Sequence, residues 1–474
     1  MFIGRARELE FLQERYDSAR AELIVLYGRR RIGKTELLQQ FARDKEAVFY
    51  ACTECTDQEQ LARFSKRLLQ TGMPAARFLH AFPDWETALS SVREIPTAGK
   101  KLLIIDEFPY MCANHPALPS ILQNLWDHEL SRANVMIILC GSAMSFIENE
   151  LLAERNPLYG RATGIYKLLP LPFVHIREFF PQYTQEECLA VYAILGGIPY
   201  YLIQFQQEKS LEENIRTNLL QKGCVLYSEV EFLLRQELRE TSVYNTIIEA
   251  VALGNNTLAL IHSKTQLEKS KISVYLKNLM EIGIVEREFS ILSTMKERAG
   301  SGRGLYQMTD AYFRFWYAFL YSSHSELEAG DVQGVWQHVI APQLHEFVSR
   351  TYEKVCIEYL RVRNQAGELP FHFVKIGRWW EKVTRTVEGK KHSVSEEIDI
   401  VAVDRAERQF LLAECKFRHA PADIDVLRQL QDKFPQKKYH GNYHYMIFSF
   451  YGFTERLRDA AAQENVRLVS GEEI

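Results

Sequence analysis

A glycine-bounded loop between an apolar run and a helix-forming segment constrains this 474-residue chain more than any other feature. Leu23–Tyr27 is short and apolar and contains β-branched residues, which is typical of a buried parallel strand. The loop that follows reads Gly28-Arg29-Arg30-Arg31-Ile32-Gly33-Lys34-Thr35, with the spacing G-x-x-x-x-G-K-T. Leu37, Leu38 and Phe41 come next at helical spacing. Strand, loop and helix in this order predict an α/β fold, a parallel sheet with helices on both faces.

The residue types of this loop suit a bound triphosphate. Glycines allow several backbone N–H groups to point at phosphate oxygens beside a helix N-terminus. Lys34 is expected to reach the β- and γ-phosphates, and the Thr35 hydroxyl is expected to ligate Mg²⁺. All eight residues from Gly28 to Thr35 are predicted to bind the nucleotide. The motif therefore predicts ATP and Mg²⁺ as ligands and ATP hydrolysis as the reaction.

A second apolar run, Lys101–Ile105, ends in Asp106 and Glu107. The carboxyl ends of parallel strands meet at one edge of a sheet, so these acids are expected beside the phosphates. Asp106 is predicted to hold Mg²⁺, and Glu107 is predicted to polarise the attacking water. Two acids after an apolar run are also an ordinary strand end, but the phosphate loop upstream favours the metal site. A glutamate beside the metal ligand favours hydrolysis over transfer to another acceptor.

Two further residues are candidates for the same site. Ser142 follows the apolar run Val135–Cys140, and a small polar residue there could touch the γ-phosphate or the attacking water. Its ordinary alternative is a serine that caps the next helix. Arg161 could act as an arginine finger that completes the site of a neighbouring subunit, which would require a homo-oligomer. Its ordinary alternative is a surface arginine.

Composition excludes several classes of protein. The formal net charge of −4 rules out a basic nucleic-acid coat, so any DNA contact must come from local patches. The eight cysteines lack the spacing of a disulfide framework, which favours reduced thiols in a cytoplasmic protein. No apolar run approaches the roughly 20 residues of a membrane span, and no signal peptide is apparent, so no membrane partner is expected.

The middle of the chain predicts a winged helix-turn-helix. Residues 244–253, 258–263 and 270–282 read as three helices, and Ile284 opens a strand after Gly283. The third helix would enter the major groove of DNA. Basic and polar residues lie largely off its apolar stripe or on the presumed wing, at Lys269, Lys271, Ser273, Lys277, Lys296, Arg298 and Arg303. They predict phosphate contacts, although a solvated helix face or a protein-binding module is the alternative.

Two apolar runs near the C-terminal end predict a β-hairpin. Glu396–Asp404 and Gln409–Phe417 read as strands, and Arg405–Arg408 between them reads as a turn. With the turn centred between Ala406 and Glu407, the predicted antiparallel pairs are Ile398–Cys415, Ile400–Ala413, Ala402–Leu411, Asp399–Glu414 and Glu397–Lys416. The first three pairs form an apolar face, and the last two form a charged one.

The charged face of this hairpin carries two opposed acids. Directly opposed residues have Cβ atoms about 5 Å apart, so Asp399 and Glu414 would repel each other unless a cation lies between them. Both are therefore predicted to be Mg²⁺ ligands, and Lys416 is predicted to orient or stabilise an attacking hydroxide. The pattern is loose, however, and a solvent-exposed, salt-bridged sheet face is its ordinary alternative.

Several motifs together resemble the archaeal-type ATPases of the AAA+/STAND superfamily. They are Phe2-Ile3-Gly4-Arg5 with Glu8-Leu9, the three arginines of the loop, Ile105–Phe108, Gly141-Ser142, Leu158–Arg161, Gly196–Pro199 and Asp310–Trp316. The resemblance implies a helical lid that carries Gly196-Gly197-Ile198-Pro199. It covers nearly the whole chain, and its motifs are specific for the ATPase class rather than for a biological role.

The hairpin acids with Lys416 are also similar to the signature of the restriction-endonuclease-like (PD-(D/E)XK) superfamily. That resemblance implies a nuclease-like α/β domain with an extra acid on its first core helix, which Glu353 on helix 346–360 matches. Gln429 occupies a position where related nucleases sometimes carry a further site residue. Glu397-Ile398-Asp399 replaces the usual Pro-Asp element, so cleavage is a separate question from the fold.

These features predict five domains. They are an ATPase domain at residues 1–165, a helical lid at 166–235, a winged helix-turn-helix at 236–310, a helical linker at 311–345 and a nuclease-like domain at 346–474. The predicted function is an ATP-driven switch that controls a DNA-binding winged helix and a Mg²⁺-dependent nuclease-like domain. The alternative is a non-catalytic, nucleotide-dependent regulator that binds DNA or protein.

Overall fold

The computed structural model describes residues 2–238, 240–299, 304–387 and 390–474, so that Arg303, predicted on the wing, lies outside the described residues. The chain forms two compact units. The first runs to Leu171 and includes Ile198–Tyr201, and the second comprises Pro172–Gly197 and Leu202–Ile474. The boundaries of the five predicted domains stay a prediction.

The first unit is built on a parallel sheet. Its strands are β1 (Glu22–Tyr27), β2 (Ala47–Ala51), β3 (Lys101–Asp106), β4 (Val135–Gly141) and β5 (Gly164–Lys167). They lie in the order β2-β3-β4-β1-β5, and each pairing is parallel. The carboxyl ends of β1, β3 and β4 therefore meet at one edge, where a ligand crevice is expected.

Helices cover both faces of this sheet. They are α1 (Ala6–Asp17), α2 (Lys34–Ala42), α3 (Asp57–Leu69), α4 (Trp85–Ser90), α5 (Phe108–Asn114), α6 (Leu118–His128) and α7 (Met144–Phe146). Alternate residues of β1 enter two separate apolar cores. Leu23 and Val25 pack with residues of α3 to α6, whereas Ile24 and Leu26 pack with residues of α1 and α2. Burial on both faces explains the continuous apolar runs and confirms the predicted fold class.

The second unit begins with helices. Those before the C-terminal sheet are α8 (Ile176–Phe179), α9 (Gln185–Leu195), α10 (Pro199–Leu202, which starts in the first unit), α11 (Leu211–Ile215), α12 (Glu229–Glu237), α13 (Thr241–Ala252), α14 (Leu258–Thr265), α15 (Lys269–Glu281), α16 (Met295–Ala299), α17 (Ala311–Phe315), α18 (His324–Glu328), α19 (Val332–Val335) and α20 (Ala341–Gln365). Strands β6 (Val285–Glu288) and β7 (Leu305–Met308) pair antiparallel between α15 and α17.

The three helices predicted in the middle of the chain are α13, α14 and α15, and the predicted strand is β6. The apolar stripe of α15 faces inward, since Ile272, Leu276 and Leu279 are fully buried. Lys269, Lys271, Ser273 and Lys277 on the same helix are exposed. The helical period of the sequence is therefore sufficient to separate the buried face from the basic one.

A separate mixed sheet forms the C-terminal part of the second unit. Its strands are β8 (Lys375–Val387), β9 (Lys390–Val403), β10 (Gln409–Lys416), β11 (Asn442–Ser449) and β12 (Arg467–Ser470), in the order β12-β11-β10-β9-β8. The pairs β8–β9 and β9–β10 are antiparallel, whereas the pairs β10–β11 and β11–β12 are parallel. Helices α20, α21 (Ile424–Lys433) and α22 (Glu455–Glu464) pack against this sheet or against each other.

Short helical turns connect these elements. The 3₁₀ turns are Pro74–Arg77, Ser91–Glu94, Leu130–Arg132, Phe173–His175 and Gly471–Glu473, and the π turns are Ile147–Leu151, Arg216–Leu220, Trp316–Leu320 and Trp336–Ile340. Within the described ranges, none of the helices combines the length and the apolar character that crossing a bilayer requires.

Candidate functional site

The loop between β1 and α2 has the backbone that its glycines predict. Gly33 has a φ of 89°, a value that side-chain-bearing residues rarely adopt. A Cβ on Gly28 would lie 2.6 Å from the carbonyl oxygen of Leu168, so this position accepts only glycine without movement of the chain. The loop can therefore bring backbone N–H groups close to a phosphate.

Lys34, the first residue of α2, lies beneath this loop. Its Nζ donates hydrogen bonds to the carbonyl oxygens of Gly28, at 2.9 Å, and Arg29, at 3.0 Å. The side chain is buried, and burial lowers the pKa of its ammonium group. The ammonium group is thus held inside the curve of the loop, where the β- and γ-phosphates of a nucleotide would lie.

Thr35 and Asp106 connect the loop to strand β3. The Thr35 hydroxyl donates to Oδ2 of Asp106 at 2.6 Å, and the backbone N–H of Glu107 donates to Oδ1 at 3.1 Å. A hydroxyl oxygen and a carboxylate oxygen at this distance are ligands that Mg²⁺ accepts, usually together with waters and phosphate oxygens. The residues present therefore fit Mg²⁺, which Thr35 and Asp106 would hold.

Glu107 and Ser142 meet across the ends of β3 and β4. Glu107 has a φ of 54° at the start of α5, which turns its side chain away from the strand direction. Its Oε2 accepts hydrogen bonds from the Ser142 hydroxyl, at 2.9 Å, and from the Ser142 backbone N–H, at 3.1 Å. Ser142 thus orients the predicted catalytic glutamate, and it does not cap α7, whose first turn has no side-chain cap.

Arg5 belongs to the motif at the start of the chain, and no role was predicted for it. Its contacts make it a positioning residue. Its guanidinium donates to the carbonyl oxygens of Leu169, at 2.7 Å, and Ile32, at 3.1 Å, and pairs with Glu8 at 3.1 Å. The side chain is buried. Arg5 therefore fixes one peptide of the phosphate loop against the segment that follows β5.

The Gly-Gly-x-Pro segment contacts the same loop through residues of the first unit. The guanidinium of Arg31 lies 4.1 Å from the centre of the Tyr200 ring, within the range of a cation–π contact. A Cβ on Gly33 would lie 3.7 Å from Cγ of Pro199. Arg31, predicted to bind the nucleotide, is exposed to solvent. It lies beside Tyr200, a residue of the predicted lid.

Arg161 forms a pair with Asp127. Its Nε lies 2.9 Å from Oδ1 and its Nη2 lies 2.8 Å from Oδ2 of that carboxylate, a bidentate geometry. Nη1 donates to the carbonyl oxygen of Pro157 at 2.9 Å. A finger role in a neighbouring subunit would require this arginine to leave Asp127, and that role stays a prediction.

The register of the C-terminal hairpin agrees with the sequence analysis. Strands β9 and β10 pair Ile400 with Ala413 and Ala402 with Leu411, as predicted. One step further along the strands, Oδ2 of Asp399 accepts a hydrogen bond from the backbone N–H of Cys415 at 2.8 Å. The carboxylate of Asp399 is therefore aimed at β10 beside Glu414.

Glu414 is buried between two lysines. Nζ of Lys416 lies 2.6 Å from Oε2, and Nζ of Lys433 lies 2.5 Å from Oε1. Burial alone would raise the pKa of this carboxyl, but the two ammonium groups outweigh burial and lower it. Lys433, at the end of α21, was missed by the sequence analysis because only the fold brings it to β10. Gln429 on the same helix is exposed.

Burial and neighbouring carboxylates raise the pKa values of Asp399 and Glu353. Burial, and after it the charge of Glu414, raises the pKa of Asp399 to about 6. Burial, and after it the charge of Asp399, raises the pKa of Glu353 to about 7. The charge of Asp399 thus acts on Glu353 and that of Glu414 acts on Asp399, although Glu353 and Asp399 come from different elements, α20 and β9.

Arg378 on β8 contributes an additional cation near these acids. It pairs with Glu397, and it lies 3.0 Å from Glu288 and 4.0 Å from Glu353. Glu397 forms an ion pair with Arg378, and its predicted register position opposite Lys416 stays a prediction. Strand β8 was not predicted, which is why this arginine was missed.

The segment between β6 and β7 is bound to β8. The backbone N–H of Ile291 donates to the carbonyl oxygen of Arg378 at 2.9 Å, and the hydroxyl of Ser290 accepts from the backbone N–H of Trp380 at 3.1 Å. Arg298, predicted to contact phosphate, donates to the carbonyl oxygens of Ser293 and Ile291 within its own loop. Lys296 is exposed.

Two family models match different parts of the chain. Residues 2–205 match the family described as an ATPase domain predominantly from Archaea. Residues 316–428 match a family of archaeal and bacterial proteins of unknown function. An uncharacterized protein of Methanocaldococcus jannaschii is 32% identical over 445 residues, which cover 93% of each chain.

Solved structures with similar folds include two archaeal proteins. A Walker-type ATPase of Pyrococcus abyssi is 20% identical, with a TM-score of 0.49, and the match covers 67% of this chain and 96% of that one. The ORC2 protein of Aeropyrum pernix, solved as ADPNP–ADP complexes, is 14% identical, with a TM-score of 0.42, and the match covers 69% of this chain and 94% of that one.

Proposed function

Because this chain belongs to the family of the Methanocaldococcus protein and carries an archaeal ATPase domain, we propose that its first unit binds ATP with Mg²⁺ and hydrolyses the nucleotide. The observation that supports this proposal most is the 2.6 Å hydrogen bond between Thr35 and Asp106. It brings together two oxygen ligands from the loop after β1 and the end of β3. Their side chains can share one metal ion beside Lys34.

Each residue of this site has a distinct role in hydrolysis. The loop amides and Lys34 bind the phosphates, and Thr35 with Asp106 would hold Mg²⁺, which when bound offsets the charge that develops on the phosphate oxygens. Glu107 accepts a hydrogen bond from the attacking water and orients it toward the γ-phosphorus. Ser142 holds the carboxylate of Glu107 in place.

The test of hydrolysis is Glu107→Gln. We expect the variant to bind ATP with nearly wild-type affinity and to hydrolyse it about 10²–10⁴-fold more slowly, since glutamine cannot act as a base. Glu36→Gln, at an exposed acid on α2, is the matched control and should hydrolyse normally. Phosphate release and fluorescent-nucleotide binding give the two readouts. Wild-type turnover by Glu107→Gln would contradict the role of Glu107.

We also propose that the protein forms an oligomer in which Arg161 completes the site of a neighbouring subunit. This role can be tested separately from ATP hydrolysis itself. It predicts that specific ATPase activity rises with protein concentration and falls in Arg161→Ala. A mixture of Arg161→Ala with Glu107→Gln should then regain activity, because one variant supplies the arginine and the other supplies the site. Concentration-independent activity, with no recovery in the mixture, would argue for the structural pair with Asp127 alone.

We also propose that the nucleotide state controls how the second unit engages DNA. Tyr200 lies against Arg31 of the phosphate loop, and the chain continues from this segment into the second unit on both sides. The exposed lysines 269, 271 and 277 of α15, the third helix of the predicted winged helix, are suited to phosphate contacts. DNA affinity should then depend on ATP, fall with salt and fall further when these lysines are replaced.

A second candidate function is Mg²⁺-dependent cleavage of DNA in the C-terminal domain. The observation in its favour is that Asp399 accepts a hydrogen bond from the Cys415 amide and so lies beside Glu414 on the neighbouring strand, a partly buried and a buried acid that a cation would stabilise. Asp399 and Glu414 would hold the metal, Glu353 would have to move closer to join them, and Lys416 would orient the hydroxide. The two lysines on Glu414 favour the alternative, a non-catalytic regulator with a charge-balanced ion network.

Cleavage assays separate these alternatives. Plasmid, linear duplex, single-stranded DNA and RNA are incubated with wild-type protein, Mg²⁺ or Mn²⁺, and ATP. An active nuclease should lose cleavage in Asp399→Asn and Lys416→Ala but keep ATP hydrolysis, and Glu455→Gln, an exposed acid on α22, should cut normally. No cleavage by wild type, with DNA binding unchanged in Asp399→Asn, would establish the non-catalytic regulator.

A further inference from the structure

Three metal-ligating side chains from distant parts of the second unit converge at one place. Glu186 lies in the first turn of α9, His345 near the start of α20, and His419 in the loop after β10. One ligand atom of each residue lies within 4.8 Å of the other two. Among the residues that the structure describes, no other group of three histidine, cysteine or acidic side chains is this close.

The other polar atoms of two of these side chains already have partners. Nε2 of His345 lies 3.1 Å from the carbonyl oxygen of Phe417, and since a carbonyl only accepts, Nε2 carries the proton. Nδ1 of the neutral ring therefore keeps its lone pair. The Tyr451 hydroxyl donates to Oε1 of Glu186 at 2.7 Å, and the carboxylate keeps lone pairs for a metal ion. Such outer hydrogen bonds orient ligands in established metal sites.

The local packing supports a site that is open on one side. The ring of His345 stacks on Phe417, with centroids 4.6 Å apart, and on His419, with centroids 4.0 Å apart. Glu186 and His345 are partly buried, whereas His419 is exposed. Nearly parallel rings do not point at a common ion, so binding requires a rotation of the exposed His419 ring. The other two ligands are already held.

We propose that Glu186, His345 and His419 bind a divalent transition-metal ion, with zinc as the simplest candidate. Two imidazoles and one carboxylate suit Zn²⁺, Co²⁺ or Ni²⁺, whereas Mg²⁺ and Ca²⁺ prefer oxygen ligands. Three protein ligands leave a fourth position for water. The ion would connect α9, α20 and the loop after β10, which are far apart in the sequence. This site is independent of the proposed Mg²⁺ sites at Asp106 and Asp399.

The test uses the full-length protein after treatment with chelator. Calorimetric titration with Zn²⁺ and absorption spectra with Co²⁺ should give one tight equivalent per chain without a thiolate-to-cobalt band, since no cysteine is in the ligand set. Saturating Zn²⁺ should raise the melting temperature by about 3–6 °C, because the ion binds the folded state.

His419→Ala and Glu186→Gln should each weaken this binding at least 10-fold, and both changes are at positions that are not fully buried. His440→Ala, at an exposed histidine of the same domain, is the control and should bind Zn²⁺ as wild type does. Failure of wild type to bind a tight equivalent, or wild-type affinity in His419→Ala, would overturn the proposal.

Discussion

In the first unit, Asp106 accepts hydrogen bonds from the Thr35 hydroxyl and the Glu107 amide, whereas in the second unit Glu414 lies between the ammonium groups of Lys416 and Lys433. Both carboxylates lie at the ends of buried strands, and both were predicted to bind Mg²⁺. The direct hydrogen-bond partners differ in charge, because those of Asp106 are neutral and those of Glu414 are cations.

This difference determines what a metal ion would add. Neutral donors orient a carboxylate but leave its charge for a cation to balance, so the first site gains most from Mg²⁺. Lysines balance the charge themselves, and a metal at Glu414 would have to compete with them. Asp399 and Glu353 add two further carboxylates to the second site, and burial, with a neighbouring acid in each case, raises their pKa values.

The largest expected effect concerns Lys34. Lys34→Ala removes the ammonium group that would bind the β- and γ-phosphates, and we expect kcat for ATP hydrolysis to fall about 10²–10³-fold. Lys416→Ala is the corresponding change in the second unit and should leave ATP hydrolysis unchanged. Phosphate-release assays measure both. An equal loss in the two variants would remove the distinction between the sites.

Replacing one acid in each site tests the comparison directly. Glu414→Gln leaves two partly buried lysines without their partner, and we expect the free energy of unfolding of the second unit to fall by about 3 kcal/mol. Asp106→Asn leaves neutral donors and should cost less than about 1 kcal/mol. Calorimetric unfolding, with the transitions of the two units assigned, measures both. Equal losses would show that the charge of the partners does not matter.

Removing one of the two cations should have a smaller effect. Lys433→Met leaves Glu414 paired with Lys416, and we expect the second unit to lose about 2 kcal/mol. Lys437→Met, at an exposed lysine beyond α21, is the matched control and should change stability by less than about 0.5 kcal/mol. If Lys433→Met is as stable as its control, the contact between Lys433 and Glu414 does not contribute to the free energy of unfolding.

The last prediction concerns pH. Because the folded-state pKa of Asp399 is raised from 3.8 to about 6, its stabilising contribution is present below pH 3.8 and is lost as the pH rises through 6. In the absence of metal, Asp399→Asn should therefore be more stable than wild type at pH 8, by at most about 3 kcal/mol, with no gain at pH 3.5. Thermal unfolding at both pH values checks this. A gain that is equal at both would contradict the assigned cause.

Much of the local structure could be predicted from neighbouring residues. Apolar runs and the helical period located β1, β3, β4 and the helices α13 to α15, and the centre of a short turn determined the register of β9 and β10. Strand β8 was missed because its residues Lys375–Val387 mix charged, aromatic and β-branched types without a clear alternation. Arg378 was missed with it.

The sequence by itself determined the phosphate loop, the acids at the strand ends and the pairing of the hairpin, because each depends on residues close together in the chain. Only the tertiary structure decided that Lys433 reaches Glu414, that Ser142 holds Glu107 and that Glu186, His345 and His419 converge. Such contacts join residues far apart in the sequence. They depend on how helices and sheets pack, which local periodicity does not encode.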